Sequence, residues 1–158
     1  MLGSHRGYGM LVTVSLVIVL LDQVTKAVVT HYLFLHQAVE VIAGFFSIVH
    51  VLNPGAAFGI MREWGGLRAF LLIIVSLVAL AVVVYLYRKS SGRWSAFALS
   101  LIAGGAVGNL IDRVRFGEVI DFLDFSVGGY HWPAFNVADT ALTVGVVMMV
   151  VFAVLKRE

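Results

Sequence analysis

The chain contains no cysteine, so disulfides, thiolate metal sites and a cysteine nucleophile are all excluded. Charge is scarce too. Only 13% of the 158 residues are Asp, Glu, Lys or Arg, whereas a soluble domain carries about a quarter. The formal net charge is +2, and the basic residues gather at segment ends rather than in a stripe, so no nucleic-acid surface is expected. His31, His36, His50 and His131 lack any ligand spacing such as H-x-x-x-H, which argues against zinc and leaves no expected metal or cofactor. There is neither an internal repeat nor a low-complexity tract. What abounds is apolar: 61% of the residues are hydrophobic, which marks an integral membrane protein of a single domain over 1–158.

A membrane-spanning helix needs about 20 mostly apolar residues. Four segments qualify, at about 10–29, 69–87, 94–111 and 136–155, with outer loops at about 31–66 and 113–134. The first follows Arg6 but is closed by Asp22, Gln23 and Lys26, not by a small-residue cleavage site. It therefore reads as a retained helix rather than a cleaved leader. The link at 88–93 is short and basic, and Arg6, Lys156 and Arg157 fall on the same side. Arg62, Arg68, Arg113 and Arg115 are spread over the two long loops. Both termini are thus expected in the cytoplasm, with the long loops facing outward.

Those loops carry structure of their own. The stretch 39–51 is rich in β-branched and aromatic residues around a Gly break, which predicts two short strands. Asn53-Pro54-Gly55 then turns the chain, and 118–132 repeats the character with Gly128-Gly129 as its turn. A small sheet on the outer membrane surface is expected, with Trp64, Trp94 and Trp132 near the interfaces.

Ionisable groups inside spans usually mark function or a buried partner. Asp22 and Lys26 fall in the outer half of the first helix; Asn109, Asp112 and Arg113 close the third; Asn136, Asp139, Thr140 and Thr143 open the fourth. Asp139 would lie about 5 Å below the start of its helix. Three helices thus bring polar groups to one leaflet, whereas a proton relay of a carrier would spread them through the membrane depth. A structural or chaperone-like subunit is the remaining alternative. Spacing also suggests local partners at i,i+4, Asp22 with Lys26 and Asn109 with Arg113, and Arg113 can in addition pair with Asp112. Gly104 and Gly108 form a small-xxx-small face for close helix packing. Ser15, Ser76 and Ser100 would each bond the i−4 carbonyl, leaving no serine-protease reading.

Carboxylates without an obvious local cation remain. Asp139 has none within a turn, and Asp121 sits among Val119, Ile120, Phe122 and Leu123. Asp124, three residues on, is a rival, so the residues alone leave open an Asp121–Asp139 pair, an Asp124–Asp139 pair or no pair. Two close carboxylates sharing one proton can hydrolyse a peptide with water alone.

Five blocks occur in order: Asp22-Gln23-x-x-Lys26; Asn53-x-Gly55-Ala56-Ala57-Phe58; Gly104-Gly105-Ala106-x-Gly108-Asn109-x-x-Asp112-Arg113; Val119-x-Asp121-Phe122; and Phe135-Asn136-x-Ala138-Asp139. With four spans, the set resembles the bacterial lipoprotein signal peptidases (signal peptidase II). The resemblance implies four transmembrane helices with a small extracytoplasmic β-cradle, in the bacterial cytoplasmic membrane. It implies cleavage of a diacylglyceryl-modified prolipoprotein just before the lipidated cysteine, with Asp121 and Asp139 as catalytic dyad. By the same carry-over Asn53, Gly55, Asn109, Arg113 and Asn136 line or brace the site, and Asp22 and Lys26 support it. Membrane lipid is the expected surrounding partner, and a monomer suffices because one chain supplies both aspartates. The glycines at 55 and 59 suggest that the segment around Phe58 closes over substrate.

Overall fold

The structure is a computed structural model that describes residues 7–55 and 65–155. Ala56, Phe58, Gly59, Arg62 and Trp64, with Arg6, Lys156 and Arg157, lie outside the described residues, as does the expected closing segment. Among the described residues, four helices are long and apolar enough to cross a membrane. They are α1 (Gly9–Tyr32), α2 (Gly65–Lys89), α3 (Arg93–Phe116) and α4 (Val137–Leu155). Four strands make one antiparallel sheet in the order β1 (Ala38–Ile42), β2 (Phe46–Asn53), β3 (Val119–Val127) and β4 (Tyr130–His131). β1 and β2 lie between α1 and α2, and β3 and β4 between α3 and α4. The β2–β3 ladder therefore ties the two long loops together, and both expected strand pairs form. Gly44 at φ +66° serves the first turn, and Gly128 and Gly129 at +59° and +84° fill the two-residue turn of the second. Two consecutive positive φ values are what a tight hairpin requires.

α3 is the central helix and touches the other three. Half of its apolar stretch is buried within the protein, against 6% in α2, whose side chains mostly point away from the rest of the chain. Glycine explains the difference. A Cβ on Gly104 would meet Ser15 Cα at 3.0 Å and Ile18 Cβ at 2.8 Å on α1. A Cβ on Gly105 would collide with the Ala138 carbonyl oxygen of α4, and one on Gly108 would sit 2.8 Å from Asp22 Oδ2. Backbones come this close only where small residues line the seam.

The close approach also redirects a hydroxyl. Ser76 and Ser100 donate to the i−4 carbonyls of Leu72 and Ala96, as expected. Ser15 instead donates to the Ser100 carbonyl across the α1–α3 seam at 2.9 Å, because Gly104 brings that carbonyl within reach.

The bundle is apolar at one end and polar at the other. Leu11, Val83, Tyr87, Ala96, Leu99 and Ala103 form a hydrophobic cluster near the start of α1 and the end of α2. Asp22, Lys26, Asn109, Asp112 and Asn136 are buried at the opposite end, beneath the sheet. α3 continues past Ile111 to Phe116, which keeps Asp112 and Arg113 in helical register with Asn109. Gly117, at φ +77°, then turns the chain toward β3 and donates to the Arg113 carbonyl.

The seam predicts a contrast between two glycines. Gly105→Ala should lower the thermal unfolding midpoint in detergent, with an overpacking cost of about 1–3 kcal/mol. Gly66→Ala, where nothing lies within 4 Å, should leave it unchanged or raised.

Candidate active site

The site grows from a buried cation. Lys26 is 2% exposed, and its ammonium has three hydrogens to place. It finds Asp22 Oδ2 at 2.8 Å, Asp112 Oδ2 at 2.7 Å and Asn109 Oδ1 at 3.2 Å. The i,i+4 pair expected on α1 is present, but it is half of a larger arrangement. Asp112 is held by Lys26 on the neighbouring helix rather than by Arg113 beside it, which corrects the expected local pair. Burial is the reason: the deeper cation needs both carboxylates, since an unpaired buried charge is costly.

The remaining oxygens of that cluster are used as well. Asp112 Oδ1 accepts from Gln23 Nε2 at 2.9 Å, and its Oδ2 also takes the Ile120 N–H at 3.2 Å, anchoring the start of β3. Asp22 Oδ1 accepts the Ala138 N–H at 3.0 Å, so a residue of α1 satisfies one of the free donors at the start of α4. Asn136 caps the same helix. Its Oδ1 accepts the Asp139 N–H at 2.9 Å, while Asp139 Oδ2 accepts the Asn136 N–H at 3.3 Å, in the reciprocal form of a capping box.

β3 carries the other carboxylate. Alternation along a strand puts Val119, Asp121 and Leu123 on one face and Ile120, Phe122 and Asp124 on the other. Asp121 stands opposite Val51 of β2, and Asn53 is its diagonal neighbour on the same face. Asn53 Nδ2 donates to Asp121 Oδ2 at 2.8 Å. The segment before α4 is laced to β3 through Phe135 and Leu123, whose N–H groups donate to each other's carbonyls at 3.0 and 2.8 Å. That lacing brings Asn136 Nδ2 to 2.7 Å from Asp121 Oδ1. Asn109 Nδ2 meanwhile donates to Asp139 Oδ1 at 2.7 Å.

Asp121 and Asp139 thus meet around one asparagine, Asn136, which bonds to both. Asp124 is elsewhere: its carboxylate lies 2.9 Å from His131 Nδ1 on β4. Burial pushes the Asp121 carboxyl up to about 7; the nearby Asp139 charge adds to the rise, and hydrogen bonds from Asn53 and Asn136 oppose it. The charge of Arg113 acts on Asp139, Asp112 and Asp121 together. Gly55, at φ +85°, closes the turn after β2, and its N–H donates to Asn53 Oδ1 at 2.8 Å. Beside the pair lies a cavity of about 460 Å³, lined by Asn53, Asp139, Thr140, Thr143, Phe135 and Trp132 among others. Its walls are largely apolar apart from the few groups at the carboxylates, a composition suited to an amphiphilic substrate. Among the described residues no cluster of His, Asp and Glu has the arrangement of a metal site.

A sequence model of the family described as signal peptidase (SPase) II matches residues 14–155. The chain belongs to the signal peptidase II family. The lipoprotein signal peptidase of Desulforapulum autotrophicum is 47% identical over 157 residues, covering 98% of this chain and 97% of the relative. That of Geobacter metallireducens is 49% identical over 148 residues, covering 92% and 89%. A solved structure described as a bacterial membrane enzyme, determined by the in meso method at 1.9 Å resolution, superposes with a TM-score of 0.83 at 35% identity. The superposition covers 95% of this chain and 97% of that one. Family and helices together make this a multi-pass bacterial membrane protein and an aspartic peptidase.

All nine residues singled out from the signal peptidase II resemblance fall in this one region or its supports. Gln23 is a further residue of the site, beyond those the resemblance implies. Its amide reaches Asp112 Oδ1, Asp22 Oδ2 and the Gly108 carbonyl, which staples α1 to α3. An amide inside an apolar span was the available signal, since such a group must find partners. Lys26→Met should lower stability by about 3–5 kcal/mol by stranding Asp22 and Asp112. Arg68→Met removes the more exposed pair with Glu118, at 3.2 Å, and should cost at most about 1 kcal/mol. Thermal unfolding of both variants in the same detergent checks the contrast.

Proposed function

We propose that this signal peptidase II releases the signal peptide of diacylglyceryl-modified prolipoproteins, cutting just before the lipidated cysteine, with Asp121 and Asp139 as the catalytic pair. One observation carries the reading: two carboxylates from different elements converge on Asn136 beside a largely apolar cavity. The names of the relatives supply the substrate class.

Two carboxyl groups that occupy one site share one proton and titrate as a pair. The ionised member takes a proton from water, whose oxygen attacks the scissile carbonyl carbon. The protonated member donates a hydrogen bond to the carbonyl oxygen as it becomes an oxyanion. Collapse of that intermediate breaks the C–N bond, and the nitrogen leaves with a proton from the pair. The signal peptide departs with a new carboxylate, and the modified cysteine keeps the amine. Asn53, Asn109 and Asn136 hold the two carboxylates through N–H donors, Gly55 fixes the Asn53 turn, and Arg113 supplies a balancing positive charge. Asp22 and Lys26 brace the helices behind them.

Location fits the substrate. With both termini in the cytoplasm, the polar end of the bundle faces the outer leaflet, where a lipidated cysteine rests with its acyl chains in membrane lipid. The cavity between α4 and the sheet then opens at the depth of the scissile bond. One chain supplies the whole site, so a monomer is sufficient.

Two outcomes are expected with a purified lipidated prolipoprotein in detergent. Asp121→Asn and Asp139→Asn should each reduce cleavage at least 10³-fold (about four kcal/mol of transition-state stabilisation) with binding retained. Asp124→Asn should cleave normally, and activity surviving in Asp121→Asn would refute the pair. The pH profile should fall on its alkaline side near 7. Because burial raises the Asp121 carboxyl, the shared proton is present below that pH and lost as pH rises through it.

A further inference from the structure

Each of the three asparagines facing the carboxylates has the carbonyl end of its amide anchored by a donor. Asn53 Oδ1 takes the Gly55 N–H, Asn136 Oδ1 takes the Asp139 N–H, and Asn109 Oδ1 takes the ammonium of Lys26. An amide so anchored can present only its Nδ2 side on the other edge, and that side is what each offers to Asp121 or Asp139. Two anchors are backbone groups fixed by a turn and a helix start. The third is a side chain at 3.2 Å, and it is charged.

We infer that Lys26 is a positioning residue for the catalytic pair, acting through Asn109 by fixing which end of its amide faces Asp139. The inference rests on the Asp121–Asp139 reading given above. A flipped Asn109 would turn its two N–H bonds toward an ammonium that can only donate, and its oxygen toward a carboxylate that accepts. Asn136 Nδ2, at 3.2 Å from Asn109 Oδ1, favours the same orientation but divides its two hydrogens among Asn109, the Ile120 carbonyl and Asp121. The Lys26 ammonium is therefore the dedicated donor. Asp22 and Asp112 take its other two hydrogens and offset its charge, so that Lys26 orients an amide instead of forming an ion pair with the catalytic carboxylates.

The test must separate this from a purely structural role. Lys26→Met alone strands two buried carboxylates, so Asp112→Asn accompanies it, leaving Asp22 its bonds from Ala138 and Gln23. Among the described residues, the charged groups around Asp139 are Asp22 and Lys26 on α1, Asp112 and Arg113 on α3, and Asp121 on β3. The Lys26→Met/Asp112→Asn pair removes one charge of each sign from this set. Rate profiles against pH are compared for wild type, this double variant, Asn109→Ala and the triple combination, using the lipidated substrate. The double variant should lose about 10- to 100-fold in kcat with KM little changed, the size of one hydrogen bond to a charged group. Its alkaline limb should move to higher pH, because a carboxylate that loses a donor holds its proton more tightly. The triple variant should be no slower than Asn109→Ala, since both changes remove the same contact.

Losses that multiply in the triple variant, or a double variant with the wild-type limb, would overturn the inference. Asn109→Asp gives an independent check that keeps Lys26 paired. It aims an oxygen at Asp139 and should slow cleavage and move the limb upward; wild-type behaviour there would also overturn the inference. Asp121→Asn in the same assay keeps the two claims apart. An inactive Asp121→Asn beside multiplicative losses removes only the role of Lys26, whereas an active one removes the catalytic pair itself.

Discussion

A lysine placed out of reach of water organises this molecule. Moving an ammonium from water into a protein interior costs several kcal/mol even after relaxation, and the cost is offset only when every hydrogen finds an acceptor. Lys26 meets that demand with groups from two helices, Asp22 on its own and Asp112 and Asn109 on α3. The acceptors then impose further constraints. Asp22 reaches the first turn of α4, Asp112 reaches the first residues of β3, and Asn109 reaches Asp139. The relative positions of three helices and a strand thus follow from satisfying one buried cation.

The glycines of α3 make that arrangement sterically possible. Gly104, Gly105 and Gly108 admit the backbones or carboxylates of α1 and α4 to distances that a side chain would forbid. In a bilayer no hydrophobic force presses helices together, so close packing and interhelical hydrogen bonds carry the association. The two devices are complementary here: glycine brings the helices near, and the polar network fixes their register. Where neither operates, as along most of α2, side chains remain turned outward.

Much of this was legible in the sequence. Spans were readable because apolar runs of this length with so few charges have few alternatives, and the strands because β-branched residues fell between glycines that tolerate positive φ. Convergence of Asp22, Asn109, Asp112 and Asp139 on one leaflet followed from counting residues along each helix. The partners of those groups did not follow. Adjacency on one helix suggested Arg113 for Asp112, yet the buried Lys26 holds it, because desolvation outweighs sequence proximity. Ser15 turned to another helix for a similar reason: Gly104 had removed the barrier between them. Asp121 and Asp124 could not be ranked by composition, since their separation depends on which face of β3 meets α4. Strand pairing and the lacing of Phe135 to Leu123 decide that, and both are long-range.

The site sets a polar edge against a largely apolar wall. Asn53 and Asp139 line a cavity whose other walls include Trp132, Phe135 and Val144. The central claim is that Asp121 and Asp139 hold one proton between them near neutrality. Infrared difference spectroscopy of the carboxyl stretch, titrated in detergent for wild type and Asp121→Asn, measures this without substrate. One protonated carboxyl should disappear as pH rises through about 7, and that transition should be missing from Asp121→Asn. A wild type with no carboxyl titrating near neutrality, or a transition unchanged in the variant, would contradict the shared proton.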